Sequence, residues 1–70
     1  MSMKTIQVLK DGWIIGINED PEVVAGIPDV NDRYMAQSPT GKIFSGRKET
    51  IEKLLKGQSE AFRAWRKNQE

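Results

Sequence analysis

With no histidine and no cysteine, this chain offers no imidazole base, thiol nucleophile, zinc-finger ligand set or axial haem ligand. Serine, lysine, aspartate and glutamate are what remain. A Ser–Lys nucleophile needs the amine placed beside the hydroxyl to take its proton, and no local pattern sets up such a pair. Glu19, Asp20, Glu22, Asp29 and Asp32 supply hard oxygens of the kind a divalent cation takes. Pro21 and the Val23-Val24 pair interrupt them, and no calcium-loop spacing emerges, so they read as a solvated acidic loop. The run Ala36–Ile43 contains the Gly41-Lys42 of a phosphate-binding loop. It lacks the first glycine of the backbone cradle and the hydroxyl that would follow Lys42 to hold magnesium. A chain of 70 residues is also short for enclosing a catalytic pocket of several hundred Å³. The expectation is a protein that is not an enzyme and carries no cofactor and no metal.

Charge is more informative than catalysis. Eleven Lys and Arg against ten Asp and Glu leave a net charge of +1. This near-balance is a cancellation: residues 1–35 hold three basic and six acidic side chains, residues 36–70 eight basic and four acidic. Lys42, Arg47, Lys48, Lys53 and Lys56 lie in or near a second hairpin and a first long helix, and Arg63 and Arg66 on a last helix beside Trp65. Clustered cations beside an aromatic attract a phosphate backbone, because each contact releases counterions. The leading expectation is a small DNA-associated accessory or regulatory protein using those seven residues. With four phosphate contacts its log affinity would fall with log salt at a slope of about −3.6.

These residues need elements to hold them. Lys4–Leu9 alternates, with Ile6 and Val8 on one face and Thr5, Gln7 and Leu9 on the other, as a strand does. Asp11-Gly12 then signals a hairpin turn, and Trp13, Ile15 and Ile17 share a face of the return strand. Gly16, on the opposite face, marks a bulge or a close backbone approach. In Glu19–Asp32, a single helical turn is expected from Asp20 (cap) through Pro21 to Gly26, with Val23, Val24 and Ile27 plugged into the core. Arg33–Gln37 and Lys42–Ser45 form a second hairpin around Ser38-Pro39-Thr40-Gly41. Ile51, Leu54 and Leu55 stripe a helix over Arg47–Lys56, supported by Glu49–Lys53 and Glu52–Lys56 pairs and stopped at Gly57. Ser59 caps a last helix from Glu60 to about Asn68. The fold class expected is α+β: a small antiparallel sheet of three to four strands, packed against one C-terminal helix, with a second short terminal helix. Residues 1–58 form a single domain, and the terminal helix, 59–70, is either docked or mobile.

The stretch from Tyr34 to Gly57 resembles the second half of methyl-CpG-binding domains. Ser38-Pro39-Thr40-Gly41-Lys42-Ile43-Phe44 is followed there by basic residues and a helix carrying Leu54-Leu55-Lys56-Gly57. Gly12-Trp13 at the start of a strand and Asp29-Val30 upstream of Tyr34 echo the same family. The resemblance implies a three- or four-stranded sheet with a helix on one face, meeting DNA through its loops. Arg47 lies near the arginine expected after the turn motif, though displaced along the chain. Glu19-Asp20-Pro21-Glu22 stands where the other DNA-reading arginine belongs, which removes the bidentate guanine contact such readout needs.

The alternative is a protein-binding module or inhibitor. It would use the acidic loop, through Glu19, Asp20 and Glu22, or Phe62 and Trp65 in a partner's groove. Self-association into a dimer is a third reading. The longest apolar run, Trp13–Ile17, is far short of the ~20 residues that span a bilayer, and no signal-peptide pattern opens the chain. No membrane partner is expected. A cytoplasmic protein fits, of a size suited to a regulator encoded by a phage or other mobile element.

Overall fold

The computed structural model describes residues 2–69, so positions 1 and 70 of the segments expected at 1–58 and 59–70 lie outside it. Strands β1 (Met3–Val8), β2 (Ile14–Asn18), β3 (Tyr34–Gln37) and β4 (Ile43–Gly46) form an antiparallel sheet in the order β1-β2-β3-β4. Helix α1 (Pro21–Gly26) and a 3-10 turn at Val30–Asp32 fill the long connection, and α2 (Lys48–Gln58) and α3 (Glu60–Gln69) complete the chain. The α+β class is as expected, with four strands. No described helix is long and apolar enough to cross a membrane.

Both hairpins turn on three-residue loops: the first is one residue longer than the Asp-Gly pair expected, and the second holds the Ser38-Pro39-Thr40-Gly41 turn where it was expected. In the first, the Leu9 N–H donates to the Trp13 carbonyl at 2.7 Å and the Gly12 N–H to the Leu9 carbonyl at 3.0 Å. In the second, Ser38 and Gly41 donate in the same way to Lys42 and Ser38, at 2.8 and 2.9 Å. The third loop residue must take positive φ, and both loops put glycine there, Gly12 at +96° and Gly41 at +92°. A Cβ on Gly12 would also stand 3.2 Å from Pro39, so the two turns touch at one end of the sheet.

Trp13, Ile15 and Ala36 from the sheet meet Ile51 and Leu55 from α2 and Phe62 from α3, with Leu9 closing the cluster. Trp13 stacks on Phe44 with centroids 6.0 Å apart. The i, i+4 pair Ile51 and Leu55 is buried, while Leu54 is only half-buried. Phe62 belongs to this core, so α3 is docked and the core runs across the division expected after residue 58.

Three expectations need correction. Thr5 pairs with Gly16 and Gln7 with Ile15, leaving Ile6 as the extra residue of a bulge. Ile6 and Val8 therefore do not share a face. Gly16 sits opposite that bulge beneath the Met3 side chain, whose Cε would lie 2.6 Å from a Cβ there. Second, no residue of α1 is buried: Val23 and Val24 are half-buried and Ile27 exposed. The helices occupy the other face of the sheet, so the connection covers only the Met35 side. Asp20 stands at the N-cap position with its side chain on the Ser2 N–H instead, and Gly26 is the last helical residue. Third, α2 runs through Gly57 and ends at Ser59, whose N–H donates to the Leu55 carbonyl at 2.7 Å and whose backbone is extended.

Candidate functional site

The basic residues singled out by charge fall on several surfaces. Lys42 stands at the second hairpin turn, its Nζ 5.6 Å from the Phe44 ring centroid. Arg47 and Lys48 lie at the other end of β4, where Arg47 Nε is 3.7 Å from Asp32. That pair presses the acidic connection against the start of α2; exposed as it is, it contributes little stability. Lys53, Lys56 and Arg66 do come together, on the outer side of α2 and α3, but with Glu49 and Glu52 among them. Arg66 bonds Glu52 at 2.9 Å, joining the two helices, and Arg63 pairs along α3 with Glu60 at 3.8 Å. Glu49–Lys53 and Glu52–Lys56 are absent from the ion pairs among the described residues. Charge segregated along the chain is thus mixed in space.

Of the acidic candidates, Glu19 and Glu22 are exposed and Asp20 is half-buried against Ser2. Arg33 is a buried base that charge counting did not distinguish. Its Nη1 donates to the Asn18 carbonyl at 3.3 Å, and its Nε has no partner among the described residues.

The apolar surface is more concentrated. Trp65 lies beside Phe62, centroids 5.5 Å apart, yet the two differ in exposure: Phe62 is 2% exposed and Trp65 39%. Only Trp65 therefore has surface to offer a partner. It forms one wall of a cleft of about 200 Å³ whose floor includes Ile15, Ile51 and Leu55 and whose far wall is Ile6. A second hollow of about 350 Å³ continues from it along the edge of β1, between Val8 and the hairpin residue Lys10 on one side and Ala61, Ala64 and Asn68 of α3 on the other. Both are lined by Gln7 and Trp65, which makes them one groove. Ile6 is 45% exposed there, and Val8, 66% exposed, borders the hollow at the strand's edge with its side chain on the other face. Sequence reading missed both as site residues, because a strand's place at the sheet edge is not a local property. The spacing of Ala61, Ala64, Trp65 and Asn68, at i, i+3, i+4 and i+7, was the legible signal.

One polar junction sets where α3 starts. The Ser59 hydroxyl donates to Asp11 Oδ2 at 2.7 Å and accepts the Phe62 N–H at 3.1 Å, so Ser59 ends α2 and caps α3. The same hydroxyl holds the Asp11 carboxyl below the ordinary carboxylate range, against a smaller upward push from burial. The groove thus has a floor of core residues, walls from the first strand and last helix, and a fixed corner at Ser59. No protein-family model, curated protein or solved structure matches the chain.

Proposed function

We propose that the protein is a non-enzymatic protein-binding module that takes its partner in the groove between β1 and α3, with Trp65 as the anchor. The observation carrying this reading is that Ile6 and Trp65, both exposed, wall a depression whose floor is the buried core residues Ile15, Ile51 and Leu55. Buried against a partner, an aromatic with one polar edge supplies large contact area at small entropy cost, which is why such residues dominate binding energy. The phosphate-binding reading has weaker support. Arg47, Arg63 and Arg66 each face a carboxylate, and Lys53 and Lys56 share their surface with two glutamates.

A displayed peptide library selected on the immobilised protein tests the proposal. Enriched peptides should bind the wild type and lose about tenfold or more in affinity for Trp65→Ala, without a matching loss of folded structure by circular dichroism. No enrichment, or binding indifferent to Trp65→Ala, would defeat it. In parallel, duplex DNA is titrated at about 50 mM salt. Tight, steeply salt-dependent binding weakened by Lys53→Ala and Lys56→Ala would transfer the function to nucleic acid.

A further inference from the structure

β1 is an edge of the sheet, with no strand among the described residues paired to its outer side. Its inward bonds fix which amides remain free. Leu9 donates to Trp13 and Ser2 accepts from Glu19, so Leu9 and Ser2 face β2. In an antiparallel ladder alternate residues point the other way, which turns the N–H and C=O of Val8 and, counting from Ser2, of Met3 and Thr5 outward. Edge strands are commonly shielded by a covering element, whereas Thr5 and Val8 are exposed. Opposite this free edge, α3 offers Ala61 and Ala64 beside Trp65. Small side chains there leave width for a backbone.

The groove is lined by two lysines and one carboxylate, Glu52. Lys10 and Lys48 line it and Lys4 stands on β1. Glu52 is paired with Arg66 at 2.9 Å, and outside the groove Asp11 accepts the Ser59 hydroxyl and Asp20 the Ser2 N–H.

Resting on the protein-binding reading above, we infer that the partner is an acidic peptide segment, which adds to β1 as a fifth strand in an extended conformation. Its backbone pairs with the outward amides of Thr5 and Val8. Every second side chain is apolar and lies against Ala61, Ala64 and Trp65, and the residues between are Asp or Glu facing the lysines. Backbone pairing gives affinity and the alternating side chains give selectivity.

The test uses the full chain and synthetic peptides of about ten residues, a common strand length. One alternates Val with Glu, one alternates Val with Lys, and a third is the Val/Glu peptide N-methylated at alternate residues. Amide hydrogen exchange of Thr5 and Val8 is read with each. The Val/Glu peptide should slow both amides about tenfold or more at saturation. N-methylation, or Val8→Pro in the protein, should weaken binding about tenfold by removing ladder bonds. Val8→Pro deletes an outward N–H and so spares the β1–β2 ladder. Should that variant unfold, the methylated peptide still decides the matter.

Failure of the Val/Glu peptide to bind, equal binding of the Val/Lys peptide, or unchanged exchange at Thr5 and Val8 would each overturn strand addition by an acidic segment. Slowing that grows with protein concentration alone would name a second copy as the occupant and overturn it too. If library peptides still depend on Trp65 in any of these cases, the protein-binding reading survives its refinement. If none does, both fall.

Discussion

The two C-terminal helices meet the same sheet to different depths. α2 lies across β3 and β4 with Ile51 and Leu55 sealed beneath it. α3 commits Phe62 to the core and then runs beside β1 with Trp65 half out of the protein. Its charged residues do not compensate for the missing contact with the sheet. Arg66 ties it to α2 rather than to a strand, and Arg63 pairs within the helix. The comparison teaches a division of labour. One side of the molecule is closed and carries stability; the other is open and has surface to give.

Substitutions can break or sharpen this contrast. Leu55→Ala empties a fully buried site at the centre of α2 and should cost about 2–5 kcal/mol in denaturant unfolding, enough to threaten a domain of this size. A cost below about 1 kcal/mol would mean that the α2 side is not the stable one. Ser59→Ala removes the α3 cap and the bond to Asp11 and should cost about 1–2 kcal/mol. Exchange protection should fall more in α3 than in α2; equal losses would show that the helices open as one body. Trp65→Ala removes a partly exposed ring and should cost about 1 kcal/mol or less by the same unfolding measurement, despite its effect on peptide capture. The smallest effect is confined to acid. The Asp11 carboxyl is depressed in the folded protein, so its stabilisation is present above the ordinary carboxylate pKa and is lost as pH falls through the lowered folded value. As pH falls below about 4, thermal melts of Asp11→Asn should decline less steeply than those of the wild type. Parallel acid limbs would show that the Ser59 bond does not contribute.

Much of the architecture was legible because its signals are local. The alternation of Trp13, Ile15 and Ile17, the glycines of two turns, the buried pair Ile51 and Leu55, and the Ser59 cap each depend on a few neighbouring positions, and each sits where that reading puts it. The bulge at Ile6 was not legible, since it arises from pairing against Gly16 and from Met3 lying over that glycine. The same limit applied to the site. Trp65 was visible as an aromatic on a polar helix, whereas Ile6 and Val8 became site residues only through the order of strands. The separation of charge along the chain is lost in space for a related reason: Asp32 and Arg47 lie in opposite halves of the sequence but are adjacent once the sheet forms.

The groove takes one wall from the first strand and the other from the last helix. A chain that has paired its strands but not yet seated Phe62 displays a bare edge with nothing across from it. Occupancy would therefore report completed assembly: a ligand that needs both walls distinguishes the finished protein from its partly folded forms, and by mass action it favours the finished one.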